Sequence, residues 1–591
     1  MAKQASSPLE KITALRDLMK ARGLGGYIVP LADEFQGEFL PESARRLEFL
    51  TGFTGSGGAA IVLADKACAF TDGRYMLQIA GQVERSLYEI ADFTKLPLGE
   101  WLAQNAASDA VLGFDPKLHT PEQISAMAEK APNIRLKPLA GNLIDEIWED
   151  RPAPPQGAVT LFPDEIAGRS AGEKLALVAA ELKERGADEA LITMPDSVCW
   201  LLNVRGSDVE QAPLVLCYAL VHEDGRAEWF VDEAKVPRAV RDALGDKVAI
   251  KPIKEIEDTL KSLSGKSVFM DERRSALWFK STLEEAGAKI INGRDPCAWP
   301  KACKTAAEIQ SIKNVHIKDG LAVVKFLHWL EREAPKGGLT ELAVVGKIHD
   351  FRAQDPAFRG VSFSTIAGFG PHGAIIHYRA DEKSNAAITP GNLLLIDSGG
   401  QYAGGELYGT TDITRTVAVG EVSQEMKAHF TLVLKGHIAL ARAKFTKDTT
   451  GAELDKLARA PLQEVGLDYA HGTGHGVGCY LGVHEEAANI SPRGKNAPEP
   501  RMLISNEPGY YKEGAYGIRS ENLILCVENG DGLAFETVTL APFDRNLIVS
   551  EMLDKSELEW LNDYHAHLFA TLSPLLDKDM AEWLEKQTRA I

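Results

Sequence analysis

Five side chains in the last third of the chain, Asp397, Asp412, His475, Glu507 and Glu521, are of the types that bind divalent metal ions, and each falls where a strand or glycine-rich turn directs it inward. Asp397 ends the apolar run 391–397 after Thr389-Pro390-Gly391 and continues the Leu393 and Leu395 face of a buried strand. In 412–419 the alternation puts Asp412, Thr414, Thr416 and Ala418 on one side, a polar, small-residue face suited to a cavity wall. Arg519 and Glu521 share a strand face with Leu523, Leu525 and Val527, where a charge requires a partner. Glu507 closes another apolar stretch before Pro508-Gly509, and His471 and His475 stand among four glycines in 471–478. Any one of these groups alone reads as a surface carboxylate or a satisfied histidine. Together they imply a metal site. Two like charges about 4 Å apart at an effective dielectric near 20 repel by about 4 kcal/mol, so four converging acids take up protons or gather cations. Four carboxylates with one imidazole suit Mn²⁺, Co²⁺, Zn²⁺ or Mg²⁺, and the oxygen-rich set leans toward Mn²⁺.

The elements that must position these groups follow from periodicity and punctuation. An apolar-periodic helix over 9–23, a strand at Gly26–Pro30 and another at Ala59–Leu63 make an α/β unit. The same plan returns as a helix near 170–186, a strand at 190–193, the segment 200–206 and a strand over 213–220, so two related domains are expected, divided in the proline-rich stretch 151–157. A second boundary falls near 295–305, where Asp295-Pro and Trp299-Pro punctuate the chain and Thr305 and Glu308 form a capping box for a long helix running through Leu330. Helices at about 305–332, 338–353, 423–444 and 449–465 then alternate with the ligand-bearing strands, an α+β pattern with a mostly antiparallel sheet. A helical tail over 554–585 carries an apolar face expected to pack on its own domain. The fold class is thus α/β and α+β multidomain, divided as 1–155, 156–304 and 305–591.

With 591 residues the chain exceeds one core, and 45% hydrophobic with 25% charged residues is ordinary for a globular protein. A formal charge of −19 argues against nucleic acid and anionic membranes as partners. No run of about 18 apolar residues exists, and the N-terminus leads into an amphipathic helix instead of a signal core, so a cytoplasmic location is expected. Seven scattered cysteines suit reduced thiols; Cys479, near His475, reads as structural, and Cys297 and Cys303 as packing residues.

The motifs IDSGGQY, TTDITRT, HGTGHGVG, SNEPGYY and GIRSEN occur in the order seen in the Xaa-Pro aminopeptidases, the aminopeptidase P family, and the chain resembles its long, three-domain cytosolic form. WLLNVRGSD (200–208), FTDGRYMLQ (70–78) and GAIIHYRA (373–380) extend the resemblance over nearly the whole chain. It implies two creatinase-like α/β domains followed by a "pita-bread" catalytic domain. It also implies hydrolysis of the bond between an N-terminal residue and a penultimate proline by a metal-bridging hydroxide. Two metals would be held by Asp397 on one side and His475 with Glu507 on the other, with Asp412 and Glu521 bridging. Glu507 would serve as general base and proton shuttle. His484 would stabilise the tetrahedral intermediate, His377 would position substrate and move protons, and His471 would shape the pocket for the residue after the cut. Arg519 would balance the cluster and orient substrate. A homodimer is implied as well. Two alternatives stand beside this reading: a prolidase-type dipeptidase, which the extra α/β domain disfavours, and a metal-free peptide-binding pita-bread module, which the complete ligand set disfavours. Two departures from the family stand out. The 397–412 loop is longer, so its hairpin must bulge or extend, and His372 replaces the usual asparagine in 370–373.

Overall fold

The computed structural model describes residues 7–591; residues 1–6, the leading part of the segment read above as lacking a signal core, lie outside the described residues. The chain forms two compact units, the first running, with short exchanges, as far as Cys297, the second comprising Ala298–Ile591 with Pro163–Gly168 and Gln211–Pro213.

In the first unit, strand Gly26–Pro30 pairs antiparallel with Ala59–Leu63, which pairs antiparallel with Ala67–Thr71, and parallel Glu89–Asp92 closes that edge. On the other side Val111–Phe114 and Arg135–Pro138 add in parallel. Ala59–Leu63 is buried throughout because Ile12, Leu15 and Met19 pack on one face of this sheet and Trp101, Leu102 and Met127 on the other. Helix Pro8–Ala21 starts at a Ser7/Glu10 capping box.

The second sheet repeats the plan strand for strand: Glu189–Ile192 takes the place of Gly26–Pro30, with Tyr218–His222, Ala227–Val231 and Val248–Pro252 on one side and Ser267–Met270 and Lys289–Asn292 on the other. The strand expected from residue 213 begins only at Tyr218. Its leading residues are diverted: the Leu216 amide donates to Asp208 Oδ2 (2.8 Å), and the Leu214 carbonyl accepts from the Asp208 amide (3.1 Å). Segment 200–206 is the end of helix Pro195–Leu201 followed by the short strand Val204–Arg205.

In the second unit the Thr305/Glu308 capping box opens helix Ala306–Glu333. Every strand ladder among the described residues of this unit is antiparallel. One three-stranded sheet joins Ile366–Phe369, Asn392–Ser398 and Ile413–Val419. A five-stranded sheet runs Glu485–Ile490, Gly474–Gly476, Leu503–Asn506, Asn522–Asn529 and Gly532–Thr537. A separate hairpin pairs Gly509–Lys512 with Tyr516–Arg519. Phe430, Val433, Leu434 and Ile438 of helix Gln424–Ala441 bury themselves against Leu561, Leu568 and Leu572, so the helical tail packs on its own unit. The tail is two helices, Lys555–Leu572 and Lys578–Thr588, separated by a single turn, Ser573–Leu575, at Pro574, whose nitrogen has no proton to extend the first helix. Among the described residues no helix is long and apolar enough to cross a membrane.

The long 397–412 loop extends its hairpin. The pairing Ser398↔Ile413 continues as Gln401↔Thr410 and Gly404↔Leu407, with no residue gained or lost between strands Gly400–Gly404 and Leu407–Thr410. Gly405, at φ +60, closes the two-residue turn in the left-handed region that glycine enters freely. The ladder is interrupted at Gly399, where a Cβ would lie 1.9 Å from the Thr411 carbonyl oxygen, and Asp412 stands at this interruption.

Candidate metal centre

Asp397 lies opposite Thr414 near the end of its strand, and its backbone alternation with Leu393 and Leu395 turns it to the buried side. Glu521 does not lie on one continuous strand with Arg519, contrary to the expectation from alternation. The chain changes partners between them: Tyr516–Arg519 pairs with Gly509–Lys512, whereas Asn522–Asn529 pairs with Leu503–Asn506. At the switch the Ser520 amide donates to the Pro508 carbonyl (3.1 Å) and the Glu521 amide to the Thr414 carbonyl (3.2 Å). The Thr414 hydroxyl then donates to Glu521 Oε2 at 2.6 Å, tying the Asp397-bearing ladder to the second acid.

His475 sits between glycines because its strand is squeezed from both sides: a Cβ on Gly474 would lie 2.0 Å from the Ser505 carbonyl oxygen, and one on Gly476 2.7 Å from that of Glu485. Its Nδ1 faces the Gly476 carbonyl at 2.9 Å, which puts the ring proton on Nδ1 and leaves the Nε2 lone pair for a ligand role. Nε2 lies 3.5 Å from Asp412 Oδ2 and 3.3 Å from Glu507 Oε1. Glu507 follows strand Leu503–Asn506; its amide donates to the Thr473 carbonyl (2.8 Å), and Oε1 accepts from the Ser505 hydroxyl (2.9 Å). Asp412, His475 and Glu521 each present a ligand atom within 4.8 Å of the others. Asp397 joins through Arg519 Nη2, 2.6 Å from its Oδ2, and Glu507 through His475.

The electrostatics fit a cation-binding cage. Burial, against the pull of Arg519 and with the push of Asp412, lifts the Asp397 carboxyl to about 7. Burial and then Asp412, Asp397 and Glu507 drive Glu521 well above the carboxylate range. Glu507 is raised by burial despite His475. Burial lowers the His475 imidazole, but Asp412 and Glu507 outweigh it and hold the ring at about 9. Among the described residues Asp397 Oδ1 is buried with no hydrogen-bond partner, an acceptor that a divalent ion would suit. Four carboxylates and one imidazole match hard divalent cations, which would take the place of the proton on His475 Nε2.

The other expected site residues fall around this cage. The His484 ring lies edge-on to His475, centroids 4.3 Å apart. His471 Nδ1 donates to the Gly472 carbonyl (2.8 Å), and its Nε2 accepts from the Tyr511 hydroxyl (2.8 Å), which in turn accepts from Arg519 Nη1 (2.6 Å). Arg519 therefore braces Asp397 with one nitrogen and His471, through Tyr511, with the other. His377 follows the turn Gly370–Ala374, which lies flat on strand Tyr516–Arg519 because both contacting residues are glycine: a Cβ on Gly517 would meet the Gly373 carbonyl oxygen at 1.7 Å. The Ile376 carbonyl, one residue before His377, is 3.4 Å from Arg519 Nη1. His372 turns inward, stacking on Tyr378 (4.4 Å) and meeting Glu341 Oε1 at 2.9 Å. Fully buried Glu341 also accepts from the Phe369 and Ala386 amides and the Tyr378 hydroxyl, each at 2.8 Å, and so pins the segment that carries His377.

Sequence reasoning missed His437, on helix Gln424–Ala441. Its Nδ1 is 3.1 Å from the Asn506 carbonyl and 3.2 Å from that of Ser520, the residues immediately before Glu507 and Glu521, and its Nε2 accepts from Asn522 Nδ2 (3.2 Å). One imidazole thus holds both glutamate-bearing chain ends. A lone histidine on an apolar helix face carries no local sign of this.

Sequence comparison agrees with the geometry. Metallopeptidase family M24 matches residues 310–528, the C-terminal region of that peptidase 531–591, and the creatinase/prolidase N-terminal domain matches twice, at 11–147 and 150–308. The probable Xaa-Pro aminopeptidase P of Coccidioides posadasii (strain C735) is 38% identical over 611 residues, 98% of this chain and 93% of that one. The chain belongs to the aminopeptidase P family of M24 metallopeptidases. Its Aspergillus niger relative, also a probable Xaa-Pro aminopeptidase P, is 37% identical over 98% of both chains. The crystal structure of X-prolyl aminopeptidase from Caenorhabditis elegans, described as a cytosolic enzyme with a di-nuclear active site, superposes with a TM-score of 0.93 at 32% identity, covering 99% of this chain and 100% of that one. Two creatinase-like α/β domains and a pita-bread domain are therefore the architecture of this aminopeptidase P family member.

Proposed function

We propose that this chain is a dinuclear-metal Xaa-Pro aminopeptidase, a hydrolase that removes the first residue from peptides with proline in second position. The observation that carries the reading is the convergence of Asp412, His475 and Glu521, flanked by Asp397 and Glu507, in a chain related to Xaa-Pro aminopeptidases along its length. Asp397 would hold one ion and His475 with Glu507 the other, Asp412 and Glu521 serving both. The carboxylate-rich set favours Mn²⁺. When bound, two divalent cations supply Lewis acidity that eases deprotonation of water and counters charge on a carbonyl oxygen.

The chain's own groups do the rest. Glu507, steadied by the Ser505 hydroxyl, takes the proton of the attacking water as the new carbon–oxygen bond forms. It delivers that proton to the prolyl nitrogen as the carbon–nitrogen bond breaks, so that the leaving group departs as a neutral amine instead of a strongly basic anion. His484, against the His475 ring, donates a hydrogen bond to the carbonyl oxygen as it gains charge. Arg519, His377 and His471 position substrate around the cut. In this reading the chain divides at 1–155, 156–304 and 305–591, works in the cytoplasm as its Caenorhabditis elegans neighbour is described to do, and pairs as a homodimer.

Cleavage of an Arg-Pro-Pro-type tripeptide and of a Gly-Pro dipeptide, with Mn²⁺ and after chelation, tests the proposal. Metal-dependent release of the first residue from the tripeptide is expected. Turnover of dipeptides alone, or turnover that survives complete removal of metal, would refute it.

A further inference from the structure

The extended hairpin is joined to the loop that presents His484. Gln401, on strand Gly400–Gly404, is buried, and its carboxamide orientation follows from its partners: Nε2 donates to the Leu481 carbonyl (2.7 Å) and the Gln211 carbonyl (3.1 Å), while Oε1 accepts from the Thr410 hydroxyl (2.8 Å). The Thr410 oxygen also lies 3.3 Å from the Leu481 amide, so both polar groups of Leu481 are held by one pair of hairpin side chains. Farther out, Cys479 Sγ is 3.5 Å from the Tyr408 carbonyl, and the Tyr408 ring meets that of Tyr480 edge-on, centroids 5.9 Å apart. Tyr480 has φ +50, a left-handed conformation that a bulky residue keeps only when its surroundings hold it. The loop closes on itself at the Gly478 amide and Gly482 carbonyl (3.0 Å), and His484 leaves it two residues later, beside His475.

We propose that this hairpin, longer than the family's usual loop, is a clamp on loop 478–484, with Gln401 as the positioning residue that sets the place of His484. The inference rests on the aminopeptidase reading and adds to it the means by which a group off the metal cage is held. Misplacement of a transition-state donor by about 1 Å costs rate on the order of a hundredfold, so the effect belongs in kcat. Gln401→Met removes both hydrogen-bonding ends at nearly constant length, and Thr410→Val removes the hydroxyl at nearly constant shape.

The test is a double-mutant cycle with His484→Ala, using metal-loaded full-length enzyme, a proline-containing tripeptide, kcat and KM, and metal content of each variant. Gln401→Met is expected to lower kcat about tenfold or more with KM and bound metal nearly unchanged, and to lower it by less than about twofold once His484 is alanine. Losses that multiply in the double variant, loss of metal from Gln401→Met, or an unchanged kcat would each overturn the proposal. If Gln401→Met fails to fold, Thr410→Val carries the same cycle with the same criteria. A parent chain that turns over no Xaa-Pro peptide would defeat the aminopeptidase reading itself; an active parent with an additive cycle would defeat the clamp alone.

Discussion

In the proposed dinuclear centre Asp412 and Glu521 would serve both ions, so the loss of one charge at either is expected to weaken the whole cage. Each faces other buried acids, and Glu521 takes its hydrogen bond from a neutral hydroxyl, so in its ionised form it would need a cation for neutralisation. Asp412→Asn or Glu521→Gln is expected to leave a folded chain with depleted metal and no measurable peptidase activity; elemental analysis beside a cleavage assay checks this, and full activity in either variant would refute the assignment. His437 acts one step away. His437→Leu leaves the Asn506 and Ser520 carbonyls without their shared donor and frees the chain ends that carry Glu507 and Glu521. Metal affinity, read by calorimetry, is expected to fall about tenfold or more, the scale of losses when groups that support ligands are removed. Unchanged affinity would show that the strands alone hold those glutamates.

Among the elements, strand Gly474–Gly476 is the one whose glycines carry the argument. Gly474→Ala would drive a methyl into the Ser505 backbone carbonyl at 2.0 Å, and backbone cannot swing aside as a side chain can. The strand must separate from Leu503–Asn506, taking His475 away from Glu507. The expected result is a destabilised protein, by about 2 kcal/mol or more in urea denaturation, with a large loss of activity; wild-type stability and turnover would contradict this packing. Helix boundaries were legible at this scale because caps are local: the side chains of Thr305 and Glu308 bond within one turn. The break between Arg519 and Glu521 was not legible, because alternation continues through it in sequence and only the partner strands differ.

Across the whole molecule, buried neutral histidines set an acid limit. Burial depresses His119, His437 and His565 to about 3. His565 Nε2 accepts from the Phe543 amide (3.4 Å), a bond that protonation there destroys. Below the ordinary value near 6.5 the unfolded chain binds a proton that the folded chain refuses, so each such group removes stability as pH falls from about 6.5 toward 3, by up to about 1.4 kcal/mol per pH unit, and adds no slope above 6.5. His565→Gln is expected to flatten the fall in urea stability between about pH 6 and pH 4.5 by close to one proton's worth relative to the parent; equal slopes would show that His565 titrates in the folded state. The residue types that make the cage, the order of its motifs, the repeated α/β plan and the capped helices were all determined by the sequence alone, because each depends on contacts a few residues apart or on a pattern that repeats. Tertiary structure alone decided that Thr414 bridges the two acid-bearing ladders, that His437 holds both glutamate ends, and that the long loop becomes a straight extension of its hairpin reaching the His484 loop. Those side-chain contacts join residues from 69 to 107 positions apart, as His437 to Asn506 and Thr414 to Glu521, and which distant groups meet is settled by how the sheets pack, a quantity no local spacing encodes.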